Sequence, residues 1–356
     1  MSEYRILFVG DFYHGEGYPR VKREILDRHG YRYATAYLEP FLDSVDCRIL
    51  NLETPIVSPE DVPSPFKDNK SYVHWSDPDV VPQVLADLDI DAVSLANNHT
   101  LDHGKEGLSQ TINYLDEVGI KVFGAGQDID QAAAPYRIAL PSQIGGAVSI
   151  FGFYEYRSKY DTEFSFYAGS DTPGCNPLHD SLDQMHPLDI SENDVNVAFP
   201  HWGANYRWPR GRQLRQRRSL ANAGFDLVLG HGSHCLQGFT VRNRVPIFYG
   251  IGNGVFQSPG RFRKYQNEYG ILPYGAWAIL SFQRGKLATG FNLRLYPVYA
   301  NNRESGFQPR PVEEEDFRKI VDVLASDMPR MQAEGIQIFE DRDSLGFHLR
   351  VELGDR

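Results

Sequence analysis

Cysteine is scarce. The 356-residue chain holds three, Cys47, Cys175 and Cys235, far apart and with no Cys-x-x-Cys spacing. An odd, dispersed set builds neither a disulfide framework nor a zinc knuckle, and it suits a reducing compartment. The first ten residues lack a basic n-region, an apolar h-region and a small-residue cleavage site, and no stretch approaches the roughly 18 consecutive apolar residues of a membrane-spanning helix. A cytoplasmic chain with no membrane anchor is therefore the expectation. Basic charge is also in short supply: 36 Lys and Arg against 47 Asp and Glu give a net charge of −11 and a pI near 5.5. Such a field repels polyanions, so nucleic acid is not an expected partner without a local basic patch. No Gly-x-Ser-x-Gly elbow occurs and the cysteines sit outside nucleophile contexts, which argues against covalent catalysis.

Apolar material is plentiful. Twenty-one Phe and 20 Tyr in a chain that is 41% hydrophobic and 23% charged can fill a packed core, which excludes a disordered or fibrous protein. Short apolar runs stop repeatedly at polar residues: Ile6 to Val9 before Gly10-Asp11, Ile49-Leu50 before Asn51 to Glu53, and Ala92 to Leu95 before Asn97 to His99. Later runs end at His201, at Gly230-His231 and at Gly250. Continuous runs of this kind read as strands buried on both faces, and in open α/β sheets ligands gather outside the strands' carboxyl ends. Between them, Pro82 to Leu88, Gly107 to Val118 and Arg212 to Ala223 read as helices, the last two stopped by Gly119 and Gly224. The class is α/β, with one domain over 1–300 and a C-terminal appendage over 301–356 packed on it. Within the domain, Tyr154 to Asn193 breaks the rhythm and reads as an irregular, lid-like insertion. In the appendage, Val312 to Leu324 reads as a helix and Gly346 to Leu353 as an edge strand.

Seven donors stand near the predicted strand ends: Asp11, Glu53, Asn98, His99, His201, His231 and His234. Carboxylates, an amide and imidazoles suit Mn, Fe or Zn, as one or two divalent ions. Each alone has a plainer reading, as a turn residue, helix cap or structural histidine. Six arginines between Arg207 and Arg218 form the basic cluster. A solvated helix face is the simple account. The functional one is recognition of phosphate or carboxylate, with Arg207 nearest in sequence to His201 and Tyr206 and Trp208 adding stacking surface.

Taken in order, Gly10-Asp11, Asn51 to Pro55, Ala96 to Gly104, His201-Trp202-Gly203, Gly230 to Gln237 and Tyr249 to Asn253 resemble the motifs of the CapA-type proteins linked to bacterial capsule and poly-γ-glutamate synthesis, a branch similar to the calcineurin-like metallophosphoesterases. The resemblance runs from Ile6 to about Ser258. It implies a four-layer α/β/β/α sandwich. It also implies Asp11 and His234 as ligands of one metal, Glu53 as the bridging carboxylate, and Asn98 and His201 as ligands of a second. His99 would be the general acid, oriented by Asp102. Beside what the resemblance implies, Arg207, Tyr206 and Asn97 are the expected substrate-binding residues. The chain departs from the pattern where Gly232 replaces the first of two spaced histidines, leaving His231 to substitute from one residue earlier, and where Asn205 replaces the usual Glu. The leading expectation is a metal-dependent hydrolase acting on a phosphoester or an anionic, glutamate-containing peptide or polymer. Two readings stay open beside it. One is metal-free acid–base chemistry on a peptide, epimerase-like, through His99, Asp11 and His234. The other is a non-catalytic partner of capsule or peptide-ligase machinery.

Overall fold

The computed structural model describes residues 3–16, 20–258, 260–283 and 291–353. The chain lays down part of one sheet, then the whole of a second, then returns to finish the first. β1 (Glu3–Tyr13), β2 (Cys47–Leu52), β3 (Ala92–Ser94) and β4 (Lys121–Phe123) run parallel in that order. The second sheet follows: β5 (Tyr136–Ala139), β6 (Ala147–Glu155), β7 (Pro177–Leu178), β8 (Asp194–His201), β9 (Leu227–Leu229), β10 (Phe239–Arg242) and β11 (Val245–Phe248). Its order is β10-β11-β9-β8-β6-β5, with β7 beside β6. The first sheet is then completed by β12 (Asn253–Phe256), β13 (Tyr274–Gln283), β14 (Asn292–Tyr299), β15 (Ile336–Asp343) and β16 (Gly346–Leu353), giving the order β15-β16-β14-β13-β1-β2-β3-β4, with β12 pairing the end of β1. This is a mixed α/β architecture.

Alternation along β1 shows how the layers form. Ile6 and Phe8 face the second sheet, where Phe8 meets Phe199 at 5.5 Å between ring centroids, while Leu7 and Val9 face outward. Successive side chains in a strand point to opposite faces, so both must be covered. The outer face of the first sheet is covered by α1 (Val81–Asp87), through Val81, Val84 and Leu85, and by α2 (Gly104–Glu117), through Leu108 and Leu115. On the second sheet, Phe151, Phe153 and Val228 pack beneath Leu220 and Ala221 of α3 (Arg212–Asn222). Among the described residues no helix is long and apolar enough to cross a membrane.

Three sequence expectations change. Asp11 does not follow the first strand but lies within it, at a bulge: Val9 pairs with Leu50 and Asp11 with the next residue, Asn51. A bulge of one extra residue re-aims the side chain beside it. The expected lid over Tyr154 to Asn193 is partly interior. Tyr154, Phe164, Phe166, Tyr167, Cys175 and Leu178 are buried, because the aromatic rings pack on one another and on Phe66. Residues 158–159, 161–163, 170–171 and much of 180–193 run over the surface. Gly346–Leu353 is not an edge strand, since β16 sits between β14 and β15 and the latter takes the edge. The helix expected over Val312 to Leu324 is α5, Glu314–Leu324.

Candidate metal and acid–base site

The carboxyl ends of the parallel strands collect the candidate residues. Asp11 comes from the β1 bulge, Glu53 follows β2, His99 lies in the turns after β3, and His201 is the last residue of β8. His231 follows β9 and forms an isolated parallel bridge with His201. His234 lies three residues further on, with φ of 62°, a left-handed conformation that costs a non-glycine residue energy and recurs at functional sites.

Asp11 is wholly buried and fully engaged. Its Oδ1 accepts from Asn51 Nδ2 at 3.1 Å and lies 3.1 Å from His231 Nδ1, while Oδ2 accepts from the Gly232 main-chain N–H at 3.1 Å. His234 Nδ1 lies 3.4 Å from the same Oδ2 and 2.9 Å from Asn253 Oδ1. Glu53 is the opposite case. Both its carboxylate oxygens are buried without a hydrogen bond, and Oε1 faces the Nε2 atoms of His99, His201 and His234, each at 3.9 Å. His231 Nε2 is likewise buried without a partner. Two triads, Asp11–His201–His231 and Asp11–Glu53–His234, bring their ligand atoms within 4.8 Å of one another. Asp11 is the member common to both triads, and Glu53, expected as the bridging carboxylate, belongs to one of them. His231 joins a triad from one residue before Gly232.

Crowding of charge sets the protonation. Burial alone would raise Asp11, but bonds from His201, His231 and His234 hold it well below the usual carboxylate range. Burial, and then the neighbouring Asp11, pushes Glu53 well above that range. Burial opposes a proton on His234, yet Glu53 and Asp11 outweigh it and raise the imidazole to about 9. His201, lowered by burial to about 4, is neutral and bonds Asp11 as a neutral group.

His99 stands at the edge of this cluster. Its Nδ1 lies 2.7 Å from Asp102 Oδ2, its main-chain N–H donates to Asn97 Oδ1, and its ring stacks on His74 at 3.7 Å and 2° from parallel. Burial holds both imidazoles neutral, so they stack without charge repulsion. Asp102 is wholly buried and is secured further by Lys70 Nζ and by the His74 main-chain N–H at 2.6 Å. Lys70 also donates to the Asn98 carbonyl at 2.6 Å, the contact through which Asn98 meets this network. Asn97, expected to bind substrate, is buried with its amide donating to Asn51 and to the Leu52 carbonyl and its oxygen accepting from His99 and Thr100. It ties strand ends together and has no capacity left for a ligand.

A cavity of about 330 Å³ opens over the cluster, lined by His99, His234, His74, Tyr72, Tyr206 and Arg261 among others. Tyr206 is among the residues that line it. Arg207 is not: its guanidinium lies 3.4 Å from the ring centroid of Tyr269, near Tyr265, and donates to the Tyr206 carbonyl. Most of the remaining arginine cluster is engaged elsewhere, Arg212 with Glu155, Arg215 with Asp180 and Arg217 with Tyr249. The arginine that lines the cavity is Arg261, joined to the Tyr72 hydroxyl. Lys70, His74 and Arg261 come from irregular segments with no periodicity to betray them.

The model of the family described as bacterial capsule synthesis protein PGA_cap matches residues 5–258. The chain is 28% identical over 254 residues to the PGA biosynthesis protein CapA of Bacillus subtilis, covering 70% of this chain and 62% of that one. It is 29% identical over 264 residues to the capsule biosynthesis protein CapA of Bacillus anthracis, with 70% and 58% covered. A "probable polyglutamine synthesis accessory protein" of Mycobacterium tuberculosis is 30% identical over 240 residues, with 64% and 61% covered. The alignments thus span about six-tenths of the length of these curated relatives.

Proposed function

Since the chain belongs to the bacterial capsule synthesis protein PGA_cap family, we propose that it is a metal-dependent hydrolase of the calcineurin-like type, acting on an anionic, glutamate-containing peptide or polymer. The two facing sheets with helices outside them support the fold assignment, and the relatives' names in glutamate-polymer and capsule synthesis support the substrate class. One observation carries the chemistry: a wholly buried carboxylate, Glu53, makes no hydrogen bond while three imidazole Nε2 atoms face it at 3.9 Å. A buried acid without partners is costly unless paired or coordinated to a metal, and oxygen and nitrogen donors at such separations fit a divalent cation. Asp11, Glu53 and His234 would hold one ion and Asp11, His201 and His231 a second. Bound there, the metal supplies Lewis acidity and activates water near neutral pH.

The chain's own residues do the rest. Asp102 engages Nδ1 of His99, which leaves Nε2 to take up a proton and, once protonated, to pass it to the leaving group. Asp102 is held in turn by Lys70, so the relay does not depend on solvent. Arg261 and the rings of Tyr72 and Tyr206 supply charge and surface for an anionic substrate.

Metal content of protein purified without chelator or affinity histidines, read by plasma mass spectrometry, tests this. About one to two equivalents of Mn, Fe or Zn are expected, falling by at least about half in Glu53→Gln. Hydrolysis of glutamate oligomers should depend on the same metal. A chain that will not load metal would sink the proposal. One observation favours a second reading: neutral His99 and protonated His234 line the same cavity, a base and an acid suited to proton exchange at a peptide Cα. Deuterium entering a peptide from D₂O without metal would favour that chemistry over hydrolysis.

A further inference from the structure

Beside the catalytic cavity lies a second one of about 420 Å³, lined by Gly260, Arg261, Phe262, Arg263, Lys264, Asn267, Asn301 and Arg303. The two share Gly260 and Arg261, so they adjoin at these residues. Four of the eight lining residues are cationic and none is acidic, in a chain whose net charge is −11. Among the described residues no ion pair joins a carboxylate to any of the four: Arg261 bonds to a tyrosine hydroxyl, and Lys264 lies 5.3 Å from the ring centroid of Tyr265. Basic side chains of the 207–218 cluster are neutralised or stacked, as Arg207, Arg212 and Arg215 are. Arg263 and Lys264 also stand in the first turn of α4 (Phe262–Tyr269), where positive charge opposes the helix dipole. Helix stability therefore does not account for them. The lining residues all follow the segment that the family model matches, 5–258.

We infer that this cleft is the extension of the substrate site and takes the flanking units of a chain bearing repeated carboxylates, an acidic peptide polymer held across Arg261. The inference rests on the proposed function for the identity of the reacting polymer. Guanidinium forks and an ammonium match successive carboxylates. Asn267 adds an amide able to donate to and accept from a peptide bond, a complement that a phosphate chain does not offer. A short oligomer fills only the catalytic cavity, whereas a longer one gains the cleft. Affinity should therefore rise with length and fall with salt.

The test compares a fluorescent γ-linked glutamate decamer with the dimer, on the wild-type chain and on Arg263→Glu/Lys264→Glu/Arg303→Glu. All three positions are exposed and none is in the catalytic cavity. The corresponding triple Gln variant serves if the reversed one does not fold. Anisotropy should show the decamer bound roughly tenfold more weakly by the variant, about 1.4 kcal/mol, with dimer binding and metal content unchanged. An unchanged decamer affinity overturns the inference, as does inorganic polyphosphate displacing the decamer more effectively than unlabelled glutamate decamer does. Cleavage is read on the same samples by chromatography. A decamer bound in the cleft but never cleaved would remove the hydrolase reading and leave the cleft standing, while cleavage indifferent to length would do the reverse.

Discussion

Gly232 has φ of +94°, and a Cβ built on it would lie 2.8 to 3.0 Å from three atoms of the His201 imidazole. The position that in related motifs carries a histidine is here filled by His201's own ring, and His231 reaches Asp11 instead. Each triad keeps three donor side chains with Gly232 in place. Gly232→Ala should push His201 out of its triad and lower metal content by about half, on the view that two ions share Asp11. The backbone cost of a left-handed alanine, about 1–2 kcal/mol, must be separated from the clash. Gly119→Ala does this, because Gly119 has φ of +82° with nothing within 4 Å of the added carbon. Gly119→Ala should lower Tm but keep the metal, whereas Gly232→Ala should lose it. Equal metal content in the two variants would mean that His201 is not a ligand.

Between elements, Asp316 of α5 holds the helix to the sheet by accepting from Tyr274 of β13 at 3.0 Å and Tyr299 of β14 at 2.5 Å. Burial acts to raise its pKa, but the bonds from Tyr299, Lys319 and Tyr274 outweigh it and keep the carboxyl below its ordinary value. A depressed folded-state pKa contributes stability above the unfolded value, about 3.9, and that stability is lost as pH falls through the folded one. Asp316→Asn should accordingly cost about 1–2 kcal/mol at pH 7, from the weakened tyrosine bonds, and progressively less as the pH falls below 4. Denaturation at several pH values reads the difference, and a gap that widens in acid would contradict the assignment. Periodicity exposes an element such as α5 because its buried residues Phe317, Ile320, Val321 and Leu324 recur at helical spacing. Strand ends were equally plain, since strands buried on both faces are unbroken apolar runs that stop where the sheet stops. Partners drawn from loops were not. Arg207 is adjacent to the site in sequence but turns to Tyr269, while Arg261, sixty residues from His201, lines the cavity. The aromatic residues between Tyr154 and Leu178 misled for a related reason: irregular spacing hides a core contribution when the rings pack on one another rather than along a helix or strand face.

At the scale of the molecule, the family match ends at residue 258, yet the first sheet is complete only at Leu353. The core between the sheets includes Val312, Ile320, Leu324, Met331, Ile336 and Val351, all from the last tenth and a half of the chain. Full burial of an aliphatic side chain contributes about 1.5–3 kcal/mol, so these six together supply on the order of 10 kcal/mol, comparable with the whole net stability of an ordinary domain, about 5–15 kcal/mol. Removing residues 301–356 also bares the outer edge of β14, whose partner along Asn292 to Leu295 is β16, and an unpaired edge invites association. The truncated chain should therefore fail to unfold cooperatively and should aggregate, even though it retains every residue of both metal triads. A monomeric truncated protein with a sharp thermal transition would show that the C-terminal strands are dispensable. Because β13, flanked by β1 and β14, pairs directly with β1 up to Val9, two residues before Asp11, loss of the sheet's far side should reach the site: metal content should fall along with stability.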